Sequence, residues 1–172
     1  MKLSASARIS CFLSAVVLIC SCSRAIDSTV STDTSSSLAS QECMGLQGPL
    51  AVNNAEVEKW EQTSKNQFHA RGHIQGAITE VFHDQTGHKH FSVALSASNK
   101  SVVEVIYNQS FGELPSLSAG MEVEACGDYI TDRSSPERGI LHWVHRSDTE
   151  SHPSGFVAIN GTLYGQESGT GN

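Results

Sequence analysis

Five histidines in two segments carry most of the chemistry available to this chain: His88 and His90 in HKH, and His142, His145 and His152 in GILHWVHRSDTESHPSGFVAINGTLYG, residues 139–165. On a strand, His88 and His90 at i, i+2 project from one face, a common way to present two imidazoles to zinc or another divalent transition metal. The second segment supplies further nitrogens, so the expected metal set is His90, His142, His145 and His152. His142 and His145 lie three apart and converge only if their strand ends near Val144. If the strand continues, His142 stays in phase with Ile140 and Val144, as a core imidazole would. Lys89, His90, Asn108 and Trp143 are the candidate ligand contacts. Paired imidazoles could also serve as acid and base in phosphodiester hydrolysis, because they titrate near neutral pH. No nucleophile elbow, P-loop, HExxH or CxxC motif accompanies them.

The elements that must position these residues are mostly strands. Residues 54–66 lack Gly and Pro, with Asn54 placed as N-cap and Val57 and Trp60 on one side, which predicts a short amphipathic helix. From residue 69 the pattern alternates. Ile74, Gly76 and Ile78 share a face, then Phe91, Val93 and Leu95 oppose His88, His90 and Ser92, and SVVEVIYN makes a third strand. A connection over 108–120 leads to MEVEACGDYIT, a turn at 132–139 leads to ILHWVH, and residues 156–164 form a sixth extended piece. Gly76 and Gly127 interrupt the first and fourth strands, where a small barrel has to bend. The expected fold is all-β: a five-stranded OB-fold-like barrel preceded by one short helix.

At the N-terminus, Lys2 and Arg8 precede an apolar run from Ile9 to Cys20, the form of a secretory signal. Ile19-Cys20-Ser21-Cys22 resembles a lipobox, which makes Cys22 the lipidated first residue of the mature chain; Ser23 after it points to the outer membrane. The competing cut, after Ser23-Arg24-Ala25, would release a soluble periplasmic protein. The expected organisation is a signal over 1–22, a Ser/Thr-rich tether over 23–42 that lacks the apolar groups to fold, and one domain over 43–172. Losing Lys2 and Arg8 moves the formal charge from −7 to −9, which disfavours nucleic acid as a partner and leaves the membrane, through the lipid, as the expected one. Cys43 and Cys126 remain in the domain, either bridged in an oxidising compartment or present as a free thiol and a small buried hydrophobe.

From Gly72 to Tyr164 the domain resembles the bacterial family of domain-of-unknown-function 3465, whose members are small and often exported. The resemblance is carried by GHKH at 87–90, Asn108, Ser118-Ala119-Gly120, Gly127-Asp128-Tyr129, and His142-Trp143, His145, His152, Gly155 and Tyr164. The chain departs from the family's usual pattern at Ser147-Asp148 in place of Asp-Pro, at Phe156 in place of Trp and at Phe91 in place of Gln. No mechanism needing a carboxylate at position 147 therefore carries over. The family implies no activity. Three functions stay open: a membrane-tethered binding module using the face around its second and third strands, a metal-dependent hydrolase, and a structural envelope lipoprotein.

Overall fold

A computed structural model describes residues 41–98 and 100–169. The expected signal segment, Cys22 and the expected tether up to residue 40 lie outside the described residues. Among those described, no helix is long and apolar enough to cross a membrane.

A two-residue hairpin opens the domain, β1 (Met44–Gly45) against β2 (Gly48–Pro49), and α1 follows (Asn54–Thr63). Val57 is fully buried under α1, and Trp60 packs its ring on Phe68 and Tyr129 at 5.7 and 5.5 Å. The N-cap position belongs to Asn53, not Asn54, and α1 ends at Thr63 because Ser64 turns extended while its N–H still reaches Trp60 O. Asn54 is instead a clamp. Its amide donates to Gln75 O and Leu95 O at 2.6 and 2.8 Å, and its oxygen accepts from Gln75 N.

The barrel strands are β3 (His69–Val81), β4 (His88–Ala94), β5 (Val102–Asn108), β6 (Glu122–Thr131) and β7 (Gly139–His142). β3 pairs with β4, β4 with β5, β5 with β7, β7 with β6, and β6 closes onto β3. β5 and β7 run parallel and every other pair is antiparallel. This is the five-stranded Greek-key closure of an OB-fold. β3 serves two neighbours, β6 through residues 69–77 and β4 through residues 77–81. At Gly76 a Cβ would fall 1.9 Å from Ala94 O, so the glycine serves a close approach of β4, and the irregularity in β3 lies further on, where the register with β4 shifts between Ile78 and Glu80. Gly127 has a different task from a bend: a Cβ there would meet His142 O at 2.3 Å and Val144 Cγ1 at 2.7 Å.

Alternation sorts the side chains as expected. Ile74, Ile78, Phe91, Val93, Val103, Val105, Tyr107, Val123, Ala125, Tyr129 and Leu141 fill the interior. Burial of these apolar surfaces is the main stabilising contribution to the barrel. The connection from β5 to β6 starts with a single 3-10 turn at Gln109–Phe111 and lays Leu114 and Leu117 on the core.

Two strand boundaries depart from the sequence pattern. β7 stops at His142 because Trp143 takes a left-handed backbone, φ 54°. The sixth extended piece is a hairpin, β8 (Phe156–Ile159) and β9 (Thr162–Tyr164), turned by Asn160 and Gly161 at φ 48° and 80°. Such an Asn-Gly pair with both residues at positive φ is the favoured two-residue hairpin turn. β8 docks on β6 at Val123–Cys126, beside the edge that β7 occupies at Asp128–Thr131. The loop 143–155 therefore leaves β6 and returns to it within two positions.

Cys43 and Cys126 are joined in a disulfide, Cα to Cα 5.5 Å. With Phe156 and Leu50 they make a small second apolar cluster on the outside of β6. Next to it His73 contacts Leu50 O and Glu124 through its two ring nitrogens, at 2.7 and 2.9 Å.

Candidate functional site

The barrel's outer face carries the even-numbered residues of β4, β5 and β7. Strand pairing sets His88 beside Asn108 and His90 beside Ile106, and the parallel β5–β7 pair brings in the end of β7 with His142. His142 lies opposite Asp128 of β6. Because Trp143 reverses the chain, Val144 drops into the core and His145 comes back to the side of His142. His88, Asn108, Phe111, His142, Trp143 and His145 then line a pocket of about 340 Å³, with Arg146 to Thr149 at its rim.

Three glycines hold the His142–His145 segment against the barrel. A Cβ on Gly155 would lie 2.1 Å from Trp143 O and 2.4 Å from Cys126 O, and one on Gly165 would lie 2.9 Å from Val144 O. Gly127 makes the third approach, as described above. Two backbone bonds lock the arrangement, from Gly155 N to His145 O at 2.7 Å and from Arg146 N to Gly165 O at 2.6 Å. Backbone packed this closely leaves the loop base no room to relax.

The imidazoles are in defined states. His145 is buried, lies flat on Phe111 with ring centroids 3.7 Å apart at 14°, and points Nδ1 at Arg146 O, 2.7 Å away. A carbonyl oxygen only accepts, so in the neutral ring Nδ1 carries the proton and Nε2 keeps its lone pair. His88 is fixed in the same way by Thr86 O, at 3.1 Å from Nδ1. Neither Nε2 has a hydrogen-bond partner among the described residues. The His142 ring stands 6.3 Å from that of His88. Burial, and then the neighbouring His88 and His145, hold His142 below the ordinary histidine value, against a smaller pull from Asp128. Burial does the same to His145, and its bond to Arg146 O opposes it. Both are therefore neutral at pH 7 and above.

Behind the pocket runs a polar chain. Arg71 donates to Asp128 at 2.8 Å, the second oxygen of Asp128 accepts from His152 Nε2 at 2.7 Å, and the His152 ring lies 4.4 Å from Trp143. Nδ1 of His152 is buried with no hydrogen-bond partner among the described residues. Arg71 also donates to Ser154 O, at 2.6 Å. The chain fixes Trp143, whose ring is also 5.4 Å from His145 and 40% exposed.

The four histidines expected to share a metal do not converge. His90 turns its Nδ1 to Glu104 at 2.8 Å, and Glu104 also accepts from Ser135 at 2.8 Å, so His90 is tied to the 132–138 turn. His152 is taken by Asp128, and the Trp143 ring lies against both His145 and His152. Among the described residues, no group of three His, Cys, Asp or Glu side chains is arranged to hold an ion. His142 is no core imidazole either: Leu141 faces the interior, and His142 sits half-buried outside. Lys89 belongs to the opposite side of the pleat from His88 and His90, where it pairs with Asp84 at 2.5 Å, away from the pocket. Asn108 and Trp143 do line it. Asn108 Oδ1 accepts from Ser110 N, which leaves its amide hydrogens to donate elsewhere.

Sequence reasoning missed Phe111, Arg146 to Thr149, and the Arg71–Asp128 support. His88 was legible in HKH yet stood outside the expected ligand set. A family model described as protein of unknown function (DUF3465) matches residues 43–165. Comparison with curated proteins finds no match.

Proposed function

The chain belongs to the family described as protein of unknown function (DUF3465), and from its own residues we propose that it is an exported, lipid-anchored binding domain that holds a small ligand in the pocket between His88, Asn108, Phe111 and the segment 142–149. One observation carries the reading. Two imidazoles are fixed by backbone carbonyls so that each keeps an unpartnered Nε2, and they line the same pocket as an exposed tryptophan. A mostly apolar cleft with a few oriented polar groups is the usual form of a small-molecule site. The face is also the one that OB-folds commonly use, although fold alone fixes no function.

Export is supported by the signal-like N-terminus and by the Cys43–Cys126 disulfide, which persists in oxidising compartments. Lipid on Cys22, with Ser23 after it, assigns the mature protein to the periplasmic side of the outer membrane. The competing metal-dependent hydrolase needs a converged ligand set, and among the described residues no three His, Cys, Asp or Glu side chains form one.

Expression of the untagged full chain and of Cys22→Ser with radiolabelled palmitate, followed by elemental analysis of the purified proteins, tests both parts. The expected result is label and membrane partition for the parent, neither for Cys22→Ser, and no stoichiometric transition metal in either. Label retained by Cys22→Ser overturns the anchor. One equivalent of zinc, lost on chelation together with a hydrolytic activity, overturns the binding domain.

A further inference from the structure

The pocket's chemistry narrows its ligand. Trp143 offers an exposed indole that cannot swing freely: its own backbone is left-handed, its ring lies against His152, and His152 is held by Asp128 and Arg71. A rigid aromatic face suits an apolar ligand face laid parallel to it. Around it stand groups of two kinds. His88 and His145 present Nε2 lone pairs, which accept hydrogen bonds, and Asn108 has amide hydrogens to donate. The rim adds Ser147, Thr149 and the Arg146–Asp148 pair, whose charges lie 3.3 Å apart and offset each other. Arg146 is the one Lys or Arg among the residues lining the pocket, and the chain's formal charge is −7. A polyanion would find no net positive field here. Unpartnered imidazole nitrogens beside an amide call for a ligand rich in hydroxyl groups.

Resting on the reading of this pocket as a binding site, we infer that it takes a neutral oligosaccharide, with the C–H face of one pyranose ring on Trp143 and its hydroxyls directed to His88, His145 and Asn108. A sugar ring is the ligand that joins an apolar face to a rim of hydroxyls, each able to donate to an imidazole or accept from an amide. An oligonucleotide also stacks on tryptophan, but its phosphates require a net positive surface, and Arg146 at this pocket is offset by Asp148.

The test is a nuclear magnetic resonance titration of the full chain in a sugar-free detergent with chitotriose, cellotriose, maltotriose and an oligothymidylate. The chain has two tryptophans, so its two indole signals report separately on Trp143 and Trp60. At least one trisaccharide is expected to shift the Trp143 indole and leave that of Trp60 in place, with an affinity indifferent to salt. Trp143→Ala should weaken that affinity about tenfold or more, and Trp143→Phe should restore part of it. His88→Ala, on a different strand, should weaken it too and keeps the test decisive if Trp143→Ala fails to fold. Salt-dependent binding of the oligothymidylate with no response to any trisaccharide overturns the sugar assignment, as does silence from all three at millimolar concentration. In either case small aromatic fragments such as indole and benzimidazole separate the two levels. If they shift Trp143, the pocket remains a binding site with a different ligand; if they do not, the binding reading fails with the sugar.

Discussion

Gly155→Ala is expected to destabilise the domain by about 3 kcal/mol or more, the upper end of what overpacking costs. The added methyl would sit 2.1 Å from Trp143 O, 2.4 Å from Cys126 O and 3.1 Å from His145 N. All three are backbone atoms, so no side chain can rotate away. Moving them would strain the Gly155 N to His145 O bond at the base of the loop and loosen the seat of Trp143. Gly120→Ala is the control: its φ is +89° but nothing lies within 4 Å of its Cβ position, so the cost is conformational alone, about 1 kcal/mol. Urea unfolding of the two variants measures the difference. A loss below about 1 kcal/mol at Gly155 would mean that the loop base yields and does not clamp His142–His145.

Removing the Cys43–Cys126 bridge is expected to cost about 4 kcal/mol, because it releases a loop spanning a sequence separation of 83 in the unfolded chain. The position of the bridge adds a local effect. Cys126 is fully buried against Phe156 and receives a bond from Arg71, so the Cys43→Ala, Cys126→Ala double variant also loosens the start of β8 beside Gly155. Denaturant midpoints with and without reductant give the magnitude, and non-reducing peptide mapping identifies the bridge. Unchanged midpoints on full reduction would mean that the clamp on the N-terminal segment lies instead in the contacts of His73 with Asn53 Oδ1 and Leu50 O.

The barrel was legible because its strands obey one rule. Ile74 and Ile78, Phe91 and Val93, and Val123 and Tyr129 take the inward positions of their strands, and β3 changes partner at Ala77, next to Gly76. The same rule, applied one residue further, places Lys89 across the pleat from His90. What sequence could not supply was the end of β7. Nothing in Leu141-His142-Trp143-Val144 announces a tryptophan with left-handed backbone, a conformation imposed by the close approach of Gly127, Gly155 and Gly165 from three separate segments. The pocket depends on that turn. The Asn160-Gly161 hairpin, by contrast, carried an ordinary turn signal inside what reads as a single extended piece. The stacking of Phe111 on His145 joins residues 34 positions apart through the barrel's closure, and periodicity has no access to such a contact.

Histidine nitrogen spectroscopy reaches the central claim most directly, since the account rests on neutral imidazoles turned toward a ligand. In long-range proton–nitrogen spectra recorded at alkaline pH, where the rings are neutral, His88 and His145 should carry their proton on Nδ1, against the carbonyls of Thr86 and Arg146, and leave Nε2 bare. His142 and His145 should titrate below the ordinary 6.5, because burial opposes their charged forms. The unfolded chain then binds more protons than the folded one as pH falls past 6.5, so these two groups' contribution to stability is fully present above that pH and is lost progressively below it. Neutral rings of His88 and His145 protonated on Nε2 instead of Nδ1, or titration of His142 and His145 above 6.5, would contradict this assignment.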